Sequence, residues 1–378
     1  MNKVTRFGTG WGAIIGLGMW LAVPLLAQAP PTEFAFRPEI TTGVYYQTWE
    51  SEVGEEITEW TAPLVVVLPL NSRISVDVLS GPARAEHFPT DNRLEGFTDT
   101  RIRTSVLLAQ ETLLLTAGVN LPTGNSDLEA HQTDVAAALS LNALDFRTPT
   151  FGLGLGFNVG GVIAREIGDW MVIGAGASFQ YNGDFHPLQD SSLVYDPGNE
   201  VDLTFGVDLG GERFSLTGDV TYTLYGPDRV NGAEVFRSGN KLLIQLLLAQ
   251  QWSRGSSRFY LRYRSKGKNQ RRVGGQALKD ERLNSNGDQF ELEIATTFFL
   301  SRWLGVKLLA DGKLYLLNEY DTNGAVVAGG GGGLILNLSK WLSLDTTAKY
   351  SRGGLRLRDT GLIEISGVEL GAALHWRL

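Results

Sequence analysis

The 378-residue chain contains no cysteine and only four histidines. Without cysteine, disulfides, thiolate metal sites and cysteine nucleophiles are excluded. His87, His131, His186 and His375 show no ligand spacing with one another, and no serine or aspartate is set against a histidine as a hydrolase needs. We therefore expect no enzyme, no cofactor and no metal site.

Long hydrophobic runs are also missing. Beyond the first 30 residues, no run approaches the roughly 20 apolar residues that a spanning helix needs. The mean hydropathy of −0.05 is too polar for a bundle of membrane helices. The length is compatible with two ordinary domains or with one large barrel, and the 46 Gly, 17 Phe, 11 Tyr and 9 Trp favour the barrel.

The amino terminus has the pattern of a secretory signal peptide. Lys3 and Arg6 precede the apolar stretch WGAIIGLGMWLAVPLL and a small-residue cleavage site after Ala27. This divides the chain into a signal peptide, 1–27, and a mature domain, 28–378; a retained single-span anchor is the alternative. Removing Lys3 and Arg6 lowers the 33 basic residues to 31, against 41 acidic ones. This net charge of −10 does not suggest a nucleic-acid partner.

The last eleven residues, VELGAALHWRL, alternate between apolar and polar side chains. A period of two predicts a strand, and a chain that ends on such a strand needs a partner for it, which we expect to be its own first strand. The resulting closed barrel would be apolar outside and polar inside, as expected of a barrel that is surrounded by lipid. Because the alternation of outward-facing and inward-facing residues shifts by one position near Ser366 and Gly367, we also expect a β-bulge there.

Strand-like segments arrive in pairs, joined alternately by short turns and long polar stretches. This alternation predicts an all-β fold, a transmembrane antiparallel up-and-down β-barrel of about 16 strands, with 14 as the next choice. The sixteen segments lie near 39–49, 57–68, 73–80, 98–109, 112–121, 150–165, 170–181, 200–210, 213–225, 240–252, 258–266, 288–300, 303–316, 325–338, 342–352 and 363–378.

Aromatic residues fall at the two ends of these segments, as expected for membrane interfaces. A periplasmic girdle is predicted at the short turns and the carboxy terminus, formed by Trp170, Trp252, Trp303, Trp341 and Trp376. An outer girdle is predicted at the long loops, from Trp49, Trp60, Tyr181, Tyr225, Tyr315, Tyr320 and Tyr350. Scattered core aromatics are the alternative.

Charged residues occupy one face of several segments, and the cost of about 2–4 kcal/mol for charge at mid-bilayer assigns that face to the lumen. The candidate lumen and selectivity residues are Arg101, Arg103, Arg258, Arg262, Arg264, Lys266, Glu291, Glu293, Lys307, Asp311 and Lys313. The arginines and Lys266 of 258–266 form a basic ladder that could steer anions. Alternatively, these charges pair with one another in a filled interior.

The segment 121–149 fits the strand pattern least well. We interpret VAAALSLNAL, 135–144, as a helix capped by Asp134 within a long outer loop and tucked into the barrel mouth. Its candidate constriction residues are Val135, Leu139, Leu141 and Leu144. A helix packed only on the rim is the alternative.

Two further stretches are unusual in composition. A strand carries five consecutive glycines, Gly329, Gly330, Gly331, Gly332 and Gly333, which predict strong curvature or room for a neighbouring side chain, or else an opening in the wall. The first loop carries Glu50, Glu52, Glu55, Glu56 and Glu59, which form either a solvated loop or a divalent-cation contact to lipopolysaccharide.

Four phrases resemble known bacterial barrels. VELGAALHWRL is similar to the carboxy-terminal assembly signal of outer-membrane barrels, although it ends in Leu378 where an aromatic is usual. GFTDTRIRTSVLL (96–108), VNLPTGNSDL (119–128) and YDPGNEVDLTFGVDLG (195–210) resemble the long-chain fatty acid (FadL-like) and phenol meta-pathway transporter barrels. This resemblance implies passage of hydrophobic small molecules across the outer membrane of a Gram-negative bacterium, often through a sealed lumen and a kinked wall. Residues 28–38 are too short for that family's amino-terminal plug, and 135–144 is our candidate replacement.

These observations predict an outer-membrane barrel for passive uptake of small, hydrophobic or aromatic compounds. An open, weakly selective diffusion porin is the first alternative, and a non-transporting structural or adhesive barrel is the second. The expected partners are outer-membrane lipid and lipopolysaccharide, the barrel assembly machinery through the last strand, and a small-molecule solute.

Overall fold

The computed structural model describes residues 37–109, 111–357 and 361–378. The predicted signal peptide lies outside these residues. In chain order the strands are β1 (Glu39–Ser51), β2 (Glu56–Thr61), β3 (Leu64–Asn71), β4 (Ile74–Ser80), β5 (Pro82–Phe88), β6 (Asn92–Phe97), β7 (Thr100–Leu108), β8 (Leu113–Leu121), β9 (Gly156–Ile167), β10 (Met171–Asn182), β11 (Tyr195–Asp196), β12 (Glu200–Gly210), β13 (Phe214–Tyr225), β14 (Pro227–Val230), β15 (Ala233–Arg237), β16 (Lys241–Trp252), β17 (Gly255–Lys266), β18 (Gln270–Arg272), β19 (Leu278–Asp280), β20 (Gln289–Phe299), β21 (Leu304–Tyr315), β22 (Gly324–Asn337), β23 (Leu342–Arg356) and β24 (Ile363–Arg377). A short 3-10 helix, Ala130–Gln132, leads into α1 (Thr133–Leu139). Neither helix of the described chain is long and apolar enough to cross a membrane.

Sixteen antiparallel strands form a closed wall, as predicted. They are β1, β3, β4, β7 to β10, β12, β13, β16, β17 and β20 to β24. The ring closes where β1 pairs with β24 along its whole length, from Glu39 opposite Arg377 to Ser51 opposite Ile365. At the closure, Glu39 and Arg377 form an ion pair at 3.1 Å. Both ends of the described chain therefore lie at the rim with the short turns.

The wall is apolar outside and polar inside because side chains alternate along every strand. The hairpin of β20 and β21 shows this: Phe290, Ile294, Phe298 and Leu308 are exposed on the outer face. Glu291, on the opposite face, is only 3% exposed. An apolar outer band around a charged interior suits a barrel surrounded by lipid.

The predicted bulge in the last strand is wrong. β24 keeps one register against both β23 and β1 through Ser366 and Gly367. Ile365 shares the inward face with Glu369, and its side chain is buried in a hydrophobic cluster inside the barrel mouth. An inward isoleucine is tolerated here because the upper lumen is filled, so no change of face is needed.

Three successive strand runs of the wall are interrupted at the same height along the barrel axis. β2 runs into β3 at Ala62 and Pro63, β4 into β5 at Gly81, and β6 into β7 at Thr98 and Asp99. A side chain at Gly81 would lie 2.7 Å from the Ala62 carbonyl oxygen, so glycine permits the close approach at this bend.

Above the breaks, β2, β5 and β6 form a three-stranded extension that we call the flap. The edge of the flap that is formed by β2 joins the barrel wall, because β2 also pairs with β1. In the described part of the chain, β6 has a strand neighbour on one side only, β5. The segment 81–97 was expected to be a loop, so the wall has a kink that the strand prediction missed.

The long loops contain a second, five-stranded sheet. It consists of β11, β14, β15, β18 and β19. The Tyr195 hydroxyl donates to Asp228 at 2.7 Å and joins the first two of its strands. The long-loop rim is therefore a folded structure rather than a set of separate loops.

Candidate functional site: the plugged lumen

Residues 133–151 enter the barrel from the long-loop rim, and we call this segment the plug. It begins with α1 and continues as an irregular chain. The helix begins after Gln132, which supplies no side-chain cap. The expected cap, Asp134, lies inside the first turn, where its carboxylate accepts the Val135 N–H at 2.8 Å.

The plug is buried by its apolar side chains. Val135, Leu139 and Leu144 are almost fully buried, and Leu141 packs against the same cluster half-buried. The cluster joins flap, plug and wall through Trp49, Ile57, Ala85, Leu94, Phe146, Phe151, Tyr315, Val327, Leu355 and Ile365. All four predicted constriction residues therefore belong to the segment that fills the mouth.

Polar contacts fix the plug to the first two strands. Glu59 of the flap is 1% exposed, and its carboxylate accepts the backbone N–H groups of Arg147 at 2.9 Å and Thr148 at 2.7 Å. The side chains of Gln47 and Trp49 both donate to the Leu144 carbonyl, at 2.8 and 2.9 Å. Sequence reasoning placed Glu59 in a solvated acidic loop and Trp49 in the outer girdle, and both assignments are wrong.

The far side of the plug is held by charges on the last strands. Arg147 forms an ion pair with Glu369 and stacks over the ring of Tyr45 at 3.8 Å. Lys313 pairs with Asp145 at 3.0 Å. Beneath these contacts lies a cavity of about 10 Å³, room for a single water molecule. This side of the lumen is closely packed.

Asp134 ties the helix to the flap. Its carboxylate accepts hydrogen bonds from Asn92 at 2.8 Å and Thr90 at 3.1 Å, and it lies 3.2 Å from the His87 ring. Burial alone would raise the pKa of the Asp134 carboxyl, but hydrogen bonds from Asn92, His87, Val135 and Thr90 outweigh it and lower the pKa. The tether is therefore strongest with Asp134 ionised.

All eleven predicted lumen residues lie on the inward face of their strands. Many carry a partner, and their ion pairs with other wall residues include Arg103–Asp77, Arg262–Glu291, Lys307–Asp345 and Asp311–Lys349. Arg264 donates instead to the neutral Gln289. Arg258 and Glu293 make neither a hydrogen bond nor an ion pair with the described residues. The structure thus combines internal pairing with unpaired charge.

The five glycines lie in β22, hydrogen-bonded to β21 along the whole run. Gly329, Gly331 and Gly333 face the lumen, where their missing side chains let Lys307 and Asp311 reach β23. A Cβ at Gly329 would lie 2.5 Å from Ser351 Oγ and 2.6 Å from Asp311 Oδ1. The run provides space for ion pairs, and its role as a wall opening stays a prediction.

Polar side chains line the opposite side of the lumen. β9, β10, β12 and β13 present Asn158, Ser178, Gln180, Thr204, Thr221 and Thr223, together with the acids Glu200, Asp202, Asp208 and Asp219. Sequence reasoning missed these four acids. The alternation of VDLTFGVDLG, with Val201, Leu203 and Phe205 exposed outside, is the signal that could have found Asp202 and Asp208.

The predicted tryptophan girdle lies at the short-turn rim, with four rings more than 40% exposed: Trp170, Trp303, Trp341 and Trp376. Trp252 is half-buried beside Phe298. At the long-loop end, Tyr181, Tyr320 and Tyr350 are exposed, whereas Tyr225 and Tyr315 face inward, which corrects their assignment. Among the residues described here, no group of His, Asp or Glu could hold a metal ion.

No known protein family and no curated protein matches the chain. Solved structures with a similar fold include an outer membrane channel from Pseudomonas putida F1, at 9% identity and TM-score 0.42, covering 93% of this chain and 100% of that one. The CymD monoaromatic hydrocarbon channel is 10% identical at TM-score 0.44, covering 90% and 88%. OpdK from Pseudomonas aeruginosa is 9% identical at TM-score 0.44, covering 90% and 99%. Similarities at this level do not identify a transported compound.

Proposed function

We propose that this protein is a bacterial outer-membrane channel that lets small compounds cross passively. The observation that carries the proposal is a closed sixteen-stranded wall, apolar outside and charged inside, with a plug in its mouth. A barrel of sixteen strands leaves room for water. The plug packs on β1, the flap and β21 to β24, so a solute path would follow the polar side formed by β9 to β17.

The size of the path is set by the plug under this proposal. Liposome swelling with graded sugars tests it, comparing the wild-type protein with a variant that lacks residues 135–144. We expect slow, strongly size-limited swelling for the wild type and faster swelling for the deletion, because the buried side chains of Val135, Leu139 and Leu144 leave the mouth.

Two results would count against this assignment. Equal swelling rates for both folded proteins would show that the plug does not restrict passage, which favours the open porin. No swelling by either protein, with both folded by circular dichroism, would favour the non-transporting barrel.

An apolar or aromatic cargo, as in the FadL-like and phenol meta-pathway transporters, is a second candidate. It is supported by the kinked wall, where β6 lacks a second strand neighbour in the described chain and Phe97 beside the break is 59% exposed. An apolar solute would leave sideways there instead of crossing the charged lumen. Swelling-inactive protein that still accelerates toluene entry into vesicles would support this route, and equal entry into protein-free vesicles would contradict it.

The proposed location also assigns partners. The exposed apolar side chains of the wall would contact lipid, and β24 would be recognised by the barrel assembly machinery. The acidic first loop offers lipopolysaccharide fewer free carboxylates than its sequence indicates. Glu59 is bound to the plug, Glu56 accepts the Thr48 hydroxyl, and Glu52 accepts the Glu364 N–H.

A further inference from the structure

Two lysines lie side by side on the lumen wall, at its outer end. Lys241 is the first residue of β16 and Lys266 the last of β17, and they are direct cross-strand neighbours on the inward face. Like charges placed directly opposite in a sheet destabilise it. A half-buried pair of this kind therefore needs a compensating interaction.

The wall supplies only part of that compensation. Neither ammonium group forms a hydrogen bond or an ion pair with the residues that the structure describes. Both instead lie near the ring of Tyr225, with nitrogen-to-centroid distances of 5.7 Å for Lys241 and 5.4 Å for Lys266. Deeper lysines of the same lumen do have carboxylate partners, as Lys307 does in Asp345.

The nearest acidic residues do not form ion pairs with the two lysines. Asp202 is occupied by hydroxyl donors, Thr223 at 2.6 Å and Ser178 at 3.2 Å. Glu200 lies on the other side of Tyr225, its direct neighbour on the adjoining strand. Arg264, on the same face and one step deeper than Lys266, donates to the uncharged amide of Gln289 and adds a third positive charge.

We propose that Lys241 and Lys266 form a binding station for small organic monocarboxylates at the outer entrance, with Tyr225 as its floor. This inference rests on the proposed channel function and names a solute class for it. Two ammonium groups match one carboxylate, and the nearby negative charges of Glu200 and Asp202 disfavour anions of higher charge. Those charges also keep the binding weak, which conduction requires, since a solute has to leave as well as enter.

The test is the relative permeability to benzoate, measured from reversal potentials in planar bilayers with the full-length mature protein. We expect the double variant Lys241→Gln and Lys266→Gln to lose about tenfold in benzoate permeability, the size expected for two partly solvated charge interactions. Glucose entry in liposome swelling should stay unchanged. The matched control is Lys268→Gln, because Lys268 is exposed beyond the strand and bonds the Arg282 carbonyl.

A conservative double variant, Lys241→Arg and Lys266→Arg, should keep the wild-type benzoate permeability. This result would show that the loss in the glutamine variant follows from the missing charges and not from misfolding. Wild-type permeability to benzoate in the glutamine variant, with glucose still passing, would overturn the station alone. A stronger preference for inorganic phosphate than for benzoate would also overturn it. Failure of the wild type to pass either glucose or benzoate would contradict the proposed channel function itself.

Discussion

The carboxylate of Glu59 lies 2.7 Å from the backbone nitrogen of Thr148, although the two residues are 89 positions apart. A buried carboxylate without hydrogen bonds would be very costly, so this contact and the bond from Arg147 N–H explain why an acid is tolerated in the flap. Flap and plug are therefore coupled at one side chain, and a change there should act on the mouth.

Replacing Glu59 with glutamine should loosen the plug. The amide has one acceptor oxygen in place of two, and its NH₂ group would face backbone N–H donors. A loss of about 1–3 kcal/mol is expected for leaving such a buried donor unsatisfied, which corresponds to roughly fivefold to 150-fold more time in a high-conductance state. Single-channel recording in planar bilayers measures this fraction directly.

Glu55→Gln is the matched control, since Glu55 lies exposed in the neighbouring turn and only its backbone bonds Ser51. If Glu59→Gln and Glu55→Gln gave the same open fraction as the wild type, the carboxylate would not hold the plug.

Adjacent glycines of β22 should differ in their tolerance of alanine. A Cβ at Gly331 would collide with the Ala348 carbonyl and lie 2.7 Å from Lys349 Cα, whereas at Gly330 its nearest neighbour is the Leu309 oxygen at 3.8 Å. Gly331→Ala should therefore cost about 1–3 kcal/mol in folding free energy, as overpacking does. Gly330→Ala should stay within about 0.5 kcal/mol of the wild type.

Samples are heated to a series of temperatures before electrophoresis, and the temperature at which the folded band disappears reports both effects. Equal transition temperatures for the two alanine variants would show that the strand adjusts its spacing, and the steric account of the glycine run would fail.

Arg262 and Arg258 should separate structural from conducting charge. Arg262→Gln leaves Glu291, 3% exposed, without its cation, and breaking a buried pair costs about 3–5 kcal/mol. Arg258→Gln removes a charge that makes no ion pair with the described residues, so folding should hardly change. The thermal unfolding temperature should therefore change in Arg262→Gln. The reversal potential in a salt gradient should change in Arg258→Gln.

A selectivity change in Arg262→Gln alone, with unaltered stability, would reverse this assignment. The double variant Arg262→Met with Glu291→Leu provides a check, because removing both charges should recover much of the stability that the single change loses.

The strands and their inward charges could be predicted because alternation is a local signal. In the hairpin of β20 and β21, Phe290 and Glu291 already differ in face from spacing alone. The flap could not be predicted in this way. In β5, the small Ala83 and Ala85 are the inward residues under the plug, and between charged neighbours they resemble a polar loop.

The orientation of Glu59, Trp49 and Ile365 depends on the plug, a segment remote in sequence. In a water-filled mouth an inward Trp49 or Ile365 would be unfavourable, so the local pattern placed them at the rim or on the lipid face. Their burial follows only once residues 133–151 occupy the lumen. Long-range packing, absent from any local pattern, decides these positions.

Acid should release the plug helix from the flap through Asp134. Hydrogen bonds hold the pKa of this carboxyl below its ordinary value of 3.8, so its contribution is complete above that value and is lost as the pH falls through the lowered pKa. We expect the part of the acid response that depends on Asp134 to be absent in mildly acidic solution and to appear, as a rise in planar-bilayer conductance, below pH 3.8. Asp134→Asn should raise conductance at neutral pH and show a smaller acid response, whereas the exposed Asp127→Asn should behave as the wild type. An unchanged acid response in Asp134→Asn would mean that other carboxylates, such as Glu59 or Glu369, govern the plug in acid.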